Sequence, residues 1–128
     1  MNAEKRKILI IDDSSTNVLL LQDILEEFGY HAVIKSDSKE ALKSVPKEMP
    51  DLILLDIMMP GLSGFKFMEK IAQNDKIKKI PIIMVTAKND NESRLKAKKL
   101  GAIDYIVKPI SVEDIIERVE KALRKKNT

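Results

Sequence analysis

The sequence predicts a doubly wound α/β domain, with five strands in a parallel sheet and five helices on its two faces. Short aliphatic runs such as Leu52-Ile53-Leu54-Leu55 are bounded by acidic or turn residues, as in strands buried on both faces. Segments with apolar residues at helical spacing separate these runs. The alternation is strict, and strand–helix–strand units of this kind close right-handed into a parallel sheet.

Lys7 to Ile11 form the first strand, which ends in Asp12-Asp13. Ser14 or Ser15 caps the first helix, whose apolar positions are Leu19, Leu20, Ile24, Leu25 and Phe28, with Gly29 as its stop. Ala32-Val33-Ile34 is a short second strand, followed by Ser36-Asp37. Asp37 or Ser38 caps a short helix carrying Ala41, Leu42 and Val45, and Pro46 is expected to halt it. The third strand runs into Asp56, and Pro60-Gly61 turn the chain before Ser63 caps a helix bearing Phe67, Met68 and Ile71. Pro81 opens the fourth strand, Ile82 to Val85, which ends in Thr86-Ala87. Asn89 or Asp90 starts the fourth helix, with Leu95 and Leu100 apolar and Gly101 its stop. Tyr105-Ile106-Val107 is the last strand and ends in Lys108-Pro109. Ser111 and Asp114 have the spacing of a capping box before Ile115, Ile116, Val119 and Leu123, and the helix is expected to fray from Arg124 to Thr128.

At 128 residues the chain is read as one domain with one substantial core, and it contains no internal repeat or linker. Without cysteine it has no disulfide frame, thiolate zinc site or thiol nucleophile. No apolar run approaches a membrane span, and the start of the chain runs directly into a strand, so a cytoplasmic protein is expected. The net charge of +3 arises from 23 basic and 20 acidic residues that are interspersed, with aromatics at 4%. That pattern describes a solvated mixed-charge surface and not a nucleic-acid face.

The residues after the strands carry the chemistry. In a parallel sheet all carboxyl ends lie on one rim, where ligands of open α/β sheets bind. Asp12 and Asp13, Asp56, Thr86 and Lys108 follow four different strands, so three carboxylates, a hydroxyl and an ammonium are expected to converge. Asp56 by itself could be a nucleophile, a metal ligand or only the first polar residue after a strand. The full set narrows this. Crowded carboxylates repel, and a divalent cation relieves the repulsion. Oxygen-only ligands without His or Cys favour Mg²⁺ or Mn²⁺. Lys108 can pair with a carboxylate or a phosphoryl oxygen, and Thr86 can donate to another such oxygen. These are the parts phosphoryl transfer uses, because that chemistry is mostly positioning and charge neutralisation.

Ile10-Ile11-Asp12-Asp13, Leu54-Leu55-Asp56-Ile57-Met58-Met59-Pro60-Gly61, Val85-Thr86-Ala87 and Tyr105-Ile106-Val107-Lys108-Pro109 occur in order and at matching spacing. In these motifs the sequence resembles the receiver domain of bacterial two-component response regulators, over about residues 5 to 124. The resemblance implies a flavodoxin-like, CheY-like sheet of strand order 2-1-3-4-5. It implies that Asp56 accepts phosphate from a phosphohistidine of a sensor histidine kinase or phosphotransfer protein. Asp13 would bind Mg²⁺ directly, Asp12 mainly through water, with Asp56 and the backbone carbonyl of Met58 completing the protein ligands. Thr86 and Lys108 would bind phosphoryl oxygens, and Lys108-Pro109 would be a cis peptide. Thr86 would then move toward the phosphoryl group, Tyr105 would turn inward, and partners would read the face of helix 4, strand 5 and helix 5. Arg94, Asp104, Asp114 and Arg118 resemble charges that some DNA-binding regulators use to dimerise through that face.

Ser63 stands where the family often has Asp, and either residue caps the helix. Met58 and Lys88 occupy positions that tune water access to the phosphoryl group, and neither orients a water well, so a lifetime of minutes rather than seconds is expected. His31, the single histidine, starts a strand away from the acidic rim, so the chain is read as a phosphate acceptor and not a histidine donor. Lys96, Lys98 and Lys99 read as a solvated helix face. A dehalogenase-like phosphatase would need a second Asp where Met58 stands. A flavodoxin-like redox module would need a hydroxyl- and glycine-rich phosphate loop where Asp12-Asp13 stand. A degenerate receiver used only for binding would not keep the whole set. Output is open between a stand-alone receiver and the receiver portion of a longer regulator or hybrid kinase.

Overall fold

The structure is a computed structural model that describes residues 5–126. Five parallel strands form one sheet: β1 (Lys7–Ile11), β2 (His31–Lys35), β3 (Leu52–Leu55), β4 (Ile82–Thr86) and β5 (Asp104–Val107). Their order is β2-β1-β3-β4-β5, as expected. The helices are α1 (Ser15–Glu27), α2 (Ser38–Glu48), α3 (Gly64–Ala72), α4 (Asn91–Lys99) and α5 (Val112–Lys126).

Each central strand feeds both cores, which is why the strand sequences show no polar alternation. Ile8, Ile10, Leu52, Leu54, Ile83, Val85 and Ile106 face α1 and α5. Leu9, Ile11, Ile53, Leu55, Ile82 and Met84 face the layer that contains Ala41, Val45, Phe67, Met68, Ile71 and Ala97. Fully burying one such aliphatic side chain stabilises by roughly 1.5–3 kcal/mol. Register aligns the strand ends, with Ile11 beside both Lys35 and Leu55, and Thr86 beside Val107.

Local chemistry sets most helix starts. Ser14, Asp37, Ser63 and Asp90 are the N-caps of α1 to α4. At the start of α5 the Asp114 N–H donates to Ser111 Oγ at 3.4 Å, but the Asp114 carboxylate turns to Arg118, so the capping box is only half made. Gly29 closes α1 with φ +94.

Four expectations need correction. Leu19, Leu20 and Phe28 are not core positions: they are 57%, 43% and 49% exposed, while Val18, Leu21, Ile24 and Leu25 are buried. The run Val18 to Leu21 offers four adjacent apolar residues, and a helix can turn only part of such a run inward. Leu95 is likewise exposed, and α4 instead buries Ser93 and Ala97. Pro46 does not halt α2, which continues to Glu48. Pro46 is exposed, Val45 is fully buried, and the Met49 N–H closes the last turn on the Val45 carbonyl at 2.8 Å. Packing of Val45 therefore outweighs one missing helical hydrogen bond. Finally, α5 stays helical to Lys126, two residues past Arg124, and Asn127 and Thr128 lie outside the described residues.

Candidate functional site

Sheet hydrogen bonds hold the rim residues in place. The Asp12 N–H donates to Lys35 O at 3.2 Å, the Asp56 N–H to Ile11 O at 3.0 Å, and the Lys108 N–H to Thr86 O at 2.9 Å. These rim residues therefore sit one step beyond rigid strands. Oxygen atoms of Asp12, Asp13 and Asp56 all lie within 4.8 Å of one another. Asp12 and Asp56 are buried, whereas Asp13 is exposed.

Lys108 bridges the two buried acids. Its Nζ donates to Asp12 Oδ2 at 2.8 Å and to Asp56 Oδ2 at 3.2 Å. Burial alone would lower the lysine pKa. The Asp12 hydrogen bond and the charges of Asp56 and Asp12 outweigh it and hold the ammonium above its ordinary value. The other carboxylate oxygens meet backbone donors: Asp12 Oδ1 accepts the Ser14 N–H at 2.9 Å, and Asp56 Oδ1 accepts the Met58 N–H at 3.2 Å. Met58 exposes its side chain while Met59 is buried, so the chain passes Met58 by the site as backbone. The Lys108–Pro109 peptide is cis.

Thr86 is fully buried, and its Oγ1 accepts the Lys88 N–H at 3.3 Å. The Tyr105 hydroxyl donates to the carbonyl of the same Lys88 at 2.7 Å. Burial raises the Tyr105 phenol above its usual value, while the Arg94 guanidinium pulls the other way. Lys88 also pairs through Nζ with Asp90 at 3.3 Å. His31 is exposed at the start of β2, at the opposite end of the strands from the acids. Of the four charges read as dimer contacts, Arg118 pairs within the chain with both Asp104 and Asp114, and Arg94 bonds Asn89.

Gly64 carried no site role in the sequence, and Lys88 carried one only through its side chain. Gly64 opens α3 so close to the end of β3 that a Cβ there would lie 2.4 Å from the Asp56 carbonyl oxygen and 2.8 Å from Ile57 Cα. A glycine at the first helical position, rather than past the last, was the available signal. Lys88 acts through its peptide group, which no residue pattern reveals.

The donor set suits a hard divalent cation. Three carboxylates converge without nitrogen or sulfur ligands, one of them faces solvent, and the fixed ammonium can release one carboxylate oxygen. Asp12, Asp13 and Asp56 are the residues that could hold it.

The chain is similar in sequence and fold to known proteins. The sequence profile of the response regulator receiver domain matches residues 8–120. The alkaline phosphatase synthesis transcriptional regulatory protein PhoP of Bacillus subtilis is 41% identical over 120 residues, covering 94% of this chain and 49% of its own. The phosphate regulon transcriptional regulatory protein PhoB of Escherichia coli is 33% identical over 120 residues, covering 94% of this chain and 52% of its own. The chain thus spans about half the length of the curated relatives it matches. Among solved structures, a putative response regulator from Chloroflexus aurantiacus superposes with a TM-score of 0.90 at 30% identity, over 94% of this chain and 99% of that one. The Vibrio cholerae chemotaxis protein CheY4 gives 0.88 at 29% identity, over 94% and 100%. With these motifs on this sheet and this match across most of its length, the chain belongs to the response regulator receiver domain family, the signalling domain of two-component systems.

Proposed function

We propose that this chain is a phosphoacceptor receiver, in which Asp56 takes a phosphoryl group from a phosphohistidine of a sensor histidine kinase or phosphotransfer protein. The observation that carries the reading is the Lys108 ammonium, shared between Asp12 and Asp56 beside a buried Thr86 hydroxyl. A carboxylate held at the end of a rigid strand, with a neutralising cation already in contact, is arranged for attack on phosphorus.

An Asp56 carboxylate oxygen attacks phosphorus in line with the P–N bond. The O–P bond forms as the P–N bond breaks, and the electron pair leaves on the imidazole nitrogen, with a solvent proton completing the histidine as needed. Lys108 exchanges its contact with Asp56 for a phosphoryl oxygen and keeps its contact with Asp12. The Thr86 hydroxyl turns to donate to a second phosphoryl oxygen. Asp13, Asp56 and the Met58 carbonyl, with Asp12 mainly through water, would hold Mg²⁺, or Mn²⁺ in its place, and the ion would supply charge neutralisation. The chain is no enzyme toward other substrates; it promotes its own phosphorylation and its slow dephosphorylation.

Output follows from the Thr86 movement. Thr86 and Tyr105 meet at Lys88, so a shift of Thr86 displaces the loop that Tyr105 rests on. The face of α4, β5 and α5 changes, and a downstream effector domain or protein reads it. A dimer through that face would exchange the intrachain pairs of Arg118 for contacts with a second copy. The chain itself makes no nucleic-acid contact in this scheme and works in the cytoplasm. Among the described residues no helix is long and apolar enough to cross a membrane.

Incubation with Mg²⁺ and acetyl phosphate, followed by intact mass measurement, tests the reading. One added phosphoryl group is expected, lost on chelation and in Asp56→Asn. Unchanged mass would leave the chain a receiver fold that serves only as a binding module, and a label that persists in Asp56→Asn would overturn Asp56 as the acceptor.

A further inference from the structure

Arg94 lies over the ring of Tyr105, with its guanidinium carbon 4.8 Å from the ring centroid. The guanidinium is itself fixed, because Nη2 and Nε both donate to Asn89 Oδ1, at 2.7 and 3.2 Å. Tyr105 is therefore held from two sides by one short stretch of chain. Its hydroxyl is bonded to the Lys88 carbonyl, and its ring is covered from α4. The Lys88 carbonyl is an acceptor on an exposed loop, and a hydroxyl bonded there competes with water. A solvent-facing tyrosine held by one such bond alone would exchange freely with other rotamers.

A long arginine side chain on an exposed helix ordinarily loses rotamer entropy when it is fixed over a ring. Asn89 offsets that loss by bonding the planar fork, and a fork ordered in this way loses less per hydrogen bond than a lysine does. We propose that Arg94, pinned by Asn89, is a positioning residue for Tyr105 that biases it toward its place on the Lys88 carbonyl. This rests on the reading of Tyr105 as the element that reports phosphorylation, and it identifies what sets the resting balance of that element. Phosphorylation then acts on a tyrosine already weighted toward the loop, so the identity of residue 94 sets how much of the change remains to be driven. An exposed cation–π contact shifts such a balance by about 2- to 5-fold.

The chain has two tyrosines and no tryptophan, so Tyr105 can be observed alone in Tyr30→Phe protein labelled with 3-fluorotyrosine. The readout is the solvent isotope shift of the fluorine resonance, which grows as the ring becomes exposed. Arg94→Met keeps the aliphatic stem and removes the cation, and it is expected to raise exposure. Asn89→Ala is expected to do the same to a lesser degree, and the double variant to go no further than Arg94→Met. Arg94→Lys should restore part of the effect, since it returns the charge without the fork. Lys99→Met, an exposed position on the same helix, serves as the control and should leave the resonance in place. An unchanged resonance in Arg94→Met, or additive effects of Arg94 and Asn89, would overturn the proposal. Acetyl phosphate labelling of the same proteins separates the two readings. Absence of label in every variant removes the phosphoacceptor function, whereas the fluorine shift alone decides whether Arg94 positions Tyr105.

Discussion

Lys108 Nζ stands 3.2 Å from Asp56 Oδ2 while it holds Asp12 Oδ2 at 2.8 Å. On the proposed function, cation and acceptor are thus in contact before any donor arrives, and the ammonium would compete with a metal ion for the same carboxylates. Lys108→Met is expected to bind Mg²⁺ more tightly than wild type, by roughly tenfold for each 1.4 kcal/mol of competition removed. It should nonetheless label more slowly, because a phosphoryl oxygen loses its cation. Metal titration by fluorescence or calorimetry checks the first part, and weaker Mg²⁺ binding in the variant would refute the competition.

Alkaline pH tests the same contact. The Lys108 pKa is raised above 10.5 in the folded chain, so its stabilisation is complete below 10.5 and is lost as pH climbs through the higher folded value. Wild-type stability should therefore fall toward that of Lys108→Met as pH rises beyond 10.5, measured by denaturant unfolding. A gap between the two proteins that widens with pH would contradict the assignment.

At the other end of the scale stands Asp90. The Ser93 hydroxyl and Ser93 N–H hold its carboxyl down to about 2. Its contribution is present above the ordinary 3.8 and disappears as pH falls toward 2. Asp90→Ala should melt below wild type at neutral pH, and the two should converge in acid. Equal melting at neutral pH would mean that this cap does not hold the start of α4.

Gly64→Ala forces a Cβ onto the Asp56 carbonyl and Ile57 Cα. Neither atom can rotate away, so a loss of about 1–3 kcal/mol is expected, as for overpacking of a close contact. Labelling of Asp56 should fall with it, because the strand end must shift. Thermal unfolding and labelling rate together decide it, and wild-type values for both would show that the backbone yields without consequence.

Exposure separates leucines that look alike in sequence. Leu19→Ser and Leu95→Ser should change stability by no more than about 0.5 kcal/mol, whereas Leu21→Ala and Leu25→Ala should cost about 2–5 kcal/mol. Comparable losses at Leu19 and Leu21 would mean that the buried face of α1 is misassigned.

On the proposed function, residues 58 and 88 would set the phosphoryl lifetime. Met58 offers only an exposed thioether, and the Lys88 ammonium is paired with Asp90, so no side chain there orients an attacking water. A half-life of minutes is expected, with Met58→Asn shortening it. Decay of the wild-type label within a few seconds would reject this account.

What the sequence reveals depends on which residues answer to short-range rules. The five strands were legible because each contains an unbroken apolar run that ends in a polar residue, and the rim residues were legible because they follow those runs directly. The cap at Ser63 read directly as well, and those at Ser14, Asp37 and Asp90 each as one of two adjacent residues. The inward face of α1 was not legible, since four consecutive apolar residues allow several faces and the sheet chooses one. Pro46 obeys a local rule that the burial of Val45 overrides. Gly64 and the Lys88 peptide matter through backbone atoms brought close by tertiary packing, and that closeness has no signature in residue type.

The identity of the modified side chain decides whether Asp56 is the phosphoacceptor. Borohydride reduces an aspartyl phosphate to the alcohol, so protein labelled with acetyl phosphate and Mg²⁺, then reduced and digested, reports the acceptor by peptide mass. Homoserine at position 56, absent without Mg²⁺ and absent in Asp56→Asn, is the predicted result. Homoserine at position 12 or 13, or none at all in protein that takes up phosphate, would contradict it.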